Sequence, residues 1–156
     1  LPLIFFGELI RIKSVSYAGG ITRTTKVGAP KLMTKGPYSI TRNPLYLGNM
    51  SIYSGVVLFA GGPLIWELLL FTFVFFIFQY SMIISLEEKT LTKLFGKEYK
   101  IYCSKVPRLF PKKLFWKNNL NINKSTIKTL KTEKRTLQNI FLVILFITLK
   151  YYSKII

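Results

Sequence analysis

Histidine is absent from this 156-residue chain, cysteine occurs once, at Cys103, and acidic residues number 6 against 23 lysines and arginines. A single cysteine forms no intrachain disulfide, and without histidine a metal centre of the Cys/His type is excluded. Internal repeats are lacking, as is the Gly-rich loop after a strand that cradles nucleotide phosphates in soluble enzymes. The surplus of positive charge would suit nucleic acid. No helix-turn-helix pattern or basic module with interleaved aromatics accompanies it, so no nucleic-acid partner is expected.

What the chain has in abundance is apolar sequence, with half of its residues hydrophobic. From Leu45 to Ile84 the run is broken chiefly by Gly61-Gly62-Pro63. Each half is close to the roughly 20 residues that cross a bilayer. Gly-Gly-Pro supplies a tight reversal, because glycine adopts unusual dihedrals and proline suits the first turn of the next helix. The pattern predicts a transmembrane helical hairpin. Seven basic residues lie between Arg11 and Arg42 and fourteen between Lys89 and Arg135, whereas the turn has none. The excess of positive charge on cytoplasmic loops therefore places both flanking segments in the cytoplasm and the turn outside.

The remaining segments fit one membrane domain over 1–156. Leu1 to Ile12 (LPLIFFGELIRI) is too short to span alone and reads as the end of a first membrane helix that begins upstream. It lacks the basic start and small-residue cleavage site of a signal peptide, and Glu8 interrupts it. Ile140 to Leu149 reads as a tilted helix extending to Tyr151 and Tyr152, or as an interfacial one. Lys112 to Arg135 is rich in Lys, Asn and Thr. It is either a surface that attracts anionic headgroups or a solvated linker.

Two polar motifs flank the hairpin. In the first, Gly36 to Asn49 (GPYSITRNPLYLGN), Gly36-Pro37-Tyr38 is turn chemistry, and Asn43-Pro44 reads as a helix N-cap and first position. Arg42 and free backbone N–H groups at that helix start form a place for a carboxylate or phosphate. Tyr46 lies one turn along, and Gly48 lets a ligand or a neighbouring helix come close. Taken singly, Arg42 reads better as a lipid anchor and Tyr46 as an interfacial aromatic. In the second motif, Glu87 to Arg108 (EEKTLTKLFGKEYKIYCSKVPR), Glu87 and Glu88 stand where the hairpin leaves the bilayer. Gly96 is a plausible C-cap, a short segment with Glu98, Tyr99 and Tyr102 follows, and Val106-Pro107-Arg108 ends it.

In order and spacing from Gly36 to Arg108, these residues resemble the isoprenylcysteine carboxyl methyltransferase family and its relatives among membrane phospholipid methyltransferases. The shared pattern runs Gly-Pro-Tyr, Arg-His-Pro-x-Tyr-x-Gly, an apolar hairpin, Glu-Glu-x-x-Leu, Phe-Gly-x-Glu-Tyr-x-x-Tyr and Val-Pro-Arg. The resemblance implies an all-α integral membrane bundle that uses S-adenosylmethionine, with its cofactor segments in the cytoplasm. It also implies membrane lipids as surroundings and a lipidic or membrane-presented methyl acceptor. Carried over residue by residue, Tyr38, Arg42, Asn43, Pro44, Tyr46, Gly48, Glu87, Glu88, Tyr99 and Arg108 form the expected cofactor pocket, with Arg42 and Glu88 also bearing on catalysis. The cofactor's carboxylate suits Arg42, its ammonium suits Glu87 or Glu88, and its sulfonium suits an aromatic face such as Tyr46 or Tyr99.

Asn43 stands where the family usually has histidine. A base is needed only when the nucleophile carries a proton. The lack of histidine therefore favours a carboxylate acceptor over a protonated amine, unless Glu87, Glu88 or Glu98 serves as base in a buried setting. A phospholipid amine acceptor and a catalytically degenerate scaffold of the same fold are the alternatives.

Overall fold

In a computed structural model the described residues are 1–18, 31–113 and 126–153. They form four helices, α1 (Pro2–Ala18), α2 (Pro44–Ala60), α3 (Ile65–Lys105) and α4 (Thr126–Tyr152), with a 3-10 turn at Gly36–Ser39. The expected all-α bundle is present.

α1 and α2 pack antiparallel through glycine. A Cβ at Gly48 would stand 2.8 Å from the Gly7 carbonyl oxygen, and one at Gly55 would stand 2.8 Å from the Ile4 nitrogen. Without side-chain volume between them, the two backbones can approach this closely. The α2–α3 pairing is also antiparallel, because Tyr46 meets Glu87 and, further along α2, Tyr53 stacks on Phe76. α4 runs parallel to α2. Its Glu133 and the Asn49 of α2 both hold Arg11, while Tyr151 Oη donates to the Ala60 carbonyl at 2.7 Å.

α3 consists of two helical pieces joined at a kink at Gly96, and the first, 65–95, is about 46 Å long at 1.5 Å per residue, against the roughly 30 Å of a hydrocarbon core. Its apolar part ends near Ile84, and the polar remainder projects beyond. At Gly96 the backbone leaves the helical region, with φ 48° and ψ −116°, a positive φ that glycine alone adopts freely. The expected C-cap is present: Gly96 ends the first piece of α3, and a short helical piece with Glu98, Tyr99 and Tyr102 follows the kink. Only 11% of the most apolar stretch is buried inside the protein, and Trp66, Leu70, Phe71 and Phe78 are each more than half exposed. A soluble protein would cover such a face, and its exposure supports association with a membrane.

Among the described residues α3 is the one helix long and apolar enough to cross a membrane. α2, the other arm of the expected hairpin, is apolar but has 17 residues, short of a full span without help from its flanks. The hairpin exists as a helix pair, but a double crossing is not established.

Packing inside is sparse and local. Met50, Tyr80 and Ile84 form one cluster with Tyr46, Phe76 and Leu109 against it. Leu32, Tyr99, Tyr102 and Val106 form another with Phe95 and Cys103. The part of 112–135 that lies in α4 is neither a loose linker nor a wholly exposed basic face. Lys131, Lys134 and Arg135 point outward, whereas Thr129 and Glu133 are buried. The part over 114–125 lies outside the described residues.

Candidate functional site

The site is assembled where the chain enters α2 and where it leaves α3. Gly36 opens the approach with φ +62°, and a Cβ there would collide with the Tyr17 ring at 2.4 Å, so the position requires glycine twice over. Three consecutive residues then clasp three others. Thr41 Oγ1 donates to the Leu109 carbonyl at 2.7 Å, the Arg42 N–H to Pro107 at 2.9 Å, and Asn43 Nδ2 to Arg108 at 2.7 Å. This clasp joins the two motifs across more than sixty residues of sequence and buries Thr41 and Pro44.

Asn43 stands at the N-cap of α2, yet its side chain makes no capping hydrogen bond. The expected cap role is therefore corrected, since the amide is spent on the Arg108 carbonyl. Proline at the following position has no N–H, which lowers the demand for a cap.

Glu88 is the centre of the charge cluster. Its Oε1 lies 3.1 Å from Arg42 Nη1 and its Oε2 accepts from Arg108 Nη2 at 2.9 Å. Arg108 also donates to Ser85 Oγ at 2.8 Å, and Arg42 Nη1 contacts Cys103 Sγ. Two guanidinium groups thus share one carboxylate, leaving this corner positive. Beside it, Glu87 Oε1 accepts from Tyr46 Oη at 2.8 Å, a neutral partner, which leaves a negative corner. Two polar atoms of the cluster, Arg42 Nε and Arg108 Nε, are buried without a hydrogen bond, whereas Glu88 Oε1 has only its ion pair with Arg42. Buried groups of this kind call for partners.

Burial raises the Glu87 carboxyl above its ordinary value, the Tyr46 hydrogen bond opposes that, and the neighbouring Glu88 charge adds to it. Glu87 lies three residues past the apolar run. Burial also raises the Tyr38 hydroxyl, reinforced by Glu87. Glu98 is exposed, so of the three glutamates considered as a base Glu87 alone pairs burial with freedom from a guanidinium.

Arg42, Glu88, Arg108, Tyr46 and Glu87 come together. Tyr38 borders them, and its backbone carbonyl accepts from Tyr102 Oη at 2.6 Å. Tyr99 lies in the second hydrophobic cluster, beside Cys103 and one shell back from Arg42. Gly48 faces Gly7 and Arg11, so the neighbouring helix takes the close approach. Sequence reasoning missed Ser85, Cys103 and Tyr80. Tyr80 stacks on Tyr46 with ring centroids 4.4 Å apart and accepts from Asn49 Nδ2 at 3.1 Å. Their only advance signal is helical spacing, since Ser85 and Tyr80 precede Glu88 and Glu87 by three and seven residues.

The arrangement fits an amino-acid zwitterion attached to a cation, as S-adenosylmethionine is. Arg42 and Arg108 would hold its carboxylate, Glu87 or Glu88 would meet its ammonium, and the Tyr46 face next to Glu87 suits positive charge. Comparison with known proteins gave a match to the family described as phospholipid methyltransferase over residues 1–98. No curated protein and no solved structure matched. The match covers well over half the chain and starts at α1, which the motif resemblance left out. It does not single out the isoprenylcysteine branch. The motifs clasped around Glu88, the exposed apolar α3 and the family match agree: this chain belongs to the phospholipid methyltransferase family, whose members use S-adenosylmethionine to methylate membrane-associated substrates.

Proposed function

We propose that the protein methylates the amine of a phospholipid headgroup, with Glu87 as the base that takes the ammonium proton. The observation that carries this reading is the Glu87 environment, a half-buried carboxyl raised above its ordinary value and hydrogen-bonded to Tyr46. The sequence argument for a carboxylate acceptor rested on the lack of a base, and Glu87 removes that objection. The family match supports the amine as well. When bound, S-adenosylmethionine supplies a methyl group on a sulfonium. Arg42, Arg108 and Glu88 orient the amino-acid end, Tyr46 presents its ring to positive charge, and Glu87 accepts one proton as the amine nitrogen becomes the nucleophile. In this reading α2 and α3 cross together, with the clasp in the cytoplasm and Gly61-Gly62-Pro63 outside.

The test is binding followed by turnover on detergent-purified protein. Arg42→Ala and Glu88→Gln should each weaken S-adenosylmethionine binding by about 1.5–3 kcal/mol, the range for hydrogen bonds to charged groups, and Lys93→Ala should not. An unchanged isotherm in both site variants would show that the pocket is misplaced. Methyl transfer to phosphatidylethanolamine in mixed micelles is then expected. Transfer to a prenylated cysteine carboxylate alone would replace the amine reading with the carboxylate one, which the lack of histidine favours. Absence of any binding would leave a degenerate scaffold.

A further inference from the structure

A second polar centre lies deeper in the bundle, and the proposed chemistry makes no use of it. Arg11 on α1 is 8% exposed and Glu133 on α4 is fully buried. Glu133 Oε2 accepts from Arg11 Nη2 at 2.6 Å and from Nε at 3.1 Å. The same guanidinium donates to Thr136 Oγ1 at 3.3 Å, lies 3.6 Å from Glu8 Oε2, and donates through Nη1 to Asn49 Oδ1. Of the two carboxylates beside Arg11, Glu133 takes two hydrogen bonds from it while Glu8 stands at 3.6 Å, so Glu133 does most to fix where the buried guanidinium can be.

From Arg11 the contacts continue toward the first site. Arginine only donates, so the Asn49 oxygen must face it, and the Asn49 nitrogen is left to donate to Tyr80 Oη at 3.1 Å. Tyr80 stacks on Tyr46, and Tyr46 Oη donates to Glu87. Each link constrains the next: the carboxylate sets the guanidinium, the guanidinium sets the amide, the amide sets the hydroxyl and the ring.

We infer that Glu133 is a positioning residue for the cofactor site, acting through Arg11, Asn49 and Tyr80 on the Tyr46–Glu87 pair. α4 is thereby part of the enzyme's working machinery, although it lies wholly beyond the region that matches the family. This inference rests on the proposed use of Tyr46 and Glu87 at the cofactor.

The test measures S-adenosylmethionine binding by calorimetry on the detergent-purified full chain, with melting temperature recorded for every variant. Glu133→Gln keeps the shape and removes the charge. It should weaken binding by about five- to twenty-fold, within the range of couplings across one hydrogen-bond network. Tyr80→Phe should weaken it comparably, and the double variant should bind no worse than the weaker single. Tyr151→Phe breaks a different tether of α4, to the Ala60 carbonyl, without touching the network. It is expected to lower the melting temperature and leave affinity alone. Should Glu133→Gln fail to fold, Asn49→Ala cuts the path while sparing the Arg11–Glu133 pair, and the same weakening is expected. Binding within two-fold of wild type in the folded variants, or losses that simply add, would overturn the inference. Lack of binding by the wild-type chain would instead overturn the cofactor reading on which it rests.

Discussion

Asn43 occupies the position before Pro44, yet its amide turns toward the Arg108 carbonyl at 2.7 Å. An N-cap and a donor to a carbonyl make opposite demands. N-cap preference ranks Asp with Asn, whereas a carboxylate facing a carbonyl repels it. Asn43→Asp should therefore destabilise at least as much as Asn43→Ala, whose loss of one hydrogen bond is about 0.5–1.5 kcal/mol. Asn43→His, with a ring N–H to offer, should be milder. Chemical denaturation of the three variants decides, and a near-native Asp variant would restore the capping account. Glu87 gives the second residue-scale expectation. Its raised carboxyl holds its proton to higher pH than the ordinary value of 4.5. Its contribution to stability is full below 4.5 and is lost as pH rises through the raised value, while its capacity as a base grows over the same interval. Methyl transfer should thus show an acid limb with its midpoint above 4.5, absent in Glu87→Gln. A limb that survives that substitution would belong to another group.

Among the elements, the α1–α2 contact is the least tolerant of added volume. A Cβ at Gly48 meets the Gly7 carbonyl at 2.8 Å, and one at Gly7 meets the Gly48 carbonyl at 2.6 Å. Backbone cannot yield as a flexible side chain can, so Gly48→Ala and Gly7→Ala should each destabilise by roughly 1–3 kcal/mol. Because Arg11 also flanks Gly48, the Gly48 variant should disturb cofactor binding more than Gly55→Ala, which meets Ile4 one turn from the other end. Melting temperature and binding measured on the same samples separate these effects. Much of this scale was legible beforehand. Gly36-Pro37 announced a turn, Asn43-Pro44 a helix start, Gly61-Gly62-Pro63 a reversal and Gly96 a helix end, because each depends on local backbone chemistry. The α1–α2 seam was not legible. Glycine in an apolar run marks a close approach without saying what approaches, and residues facing lipid are as apolar as those facing another helix.

For the molecule as a whole, the distribution of basic residues predicts that the clasp and the Gly62 turn lie on opposite sides of the membrane. Single cysteines at Gly62 and Ser104, both exposed, in a Cys103→Ser background should be labelled by an impermeant reagent in intact cells at 62 alone. Labelling at 104 with protection at 62 would reverse the orientation. Long-range charge pairing was the part of the whole that composition concealed. Glu133 stands between basic neighbours, Lys131, Lys134 and Arg135, and its partner lies 122 residues away, so nothing nearby in sequence distinguishes it from a solvated acid. The motif residues, by contrast, are brought together by the short loops on either side of the helix pair, and their order was enough to group Arg42 with Glu88 and Arg108.

The length of α3 has a kinetic consequence for the proposed reaction. Glu87 lies three residues past the apolar run, about 4.5 Å along the axis, a depth at which lipid headgroups already reside. An acceptor then needs neither extraction from its leaflet nor diffusion through water. Encounter takes place in two dimensions, so turnover should follow the mole fraction of acceptor in the bilayer and ignore its bulk concentration, and diluting the acceptor with an inert lipid should slow the enzyme even when the total amount is unchanged.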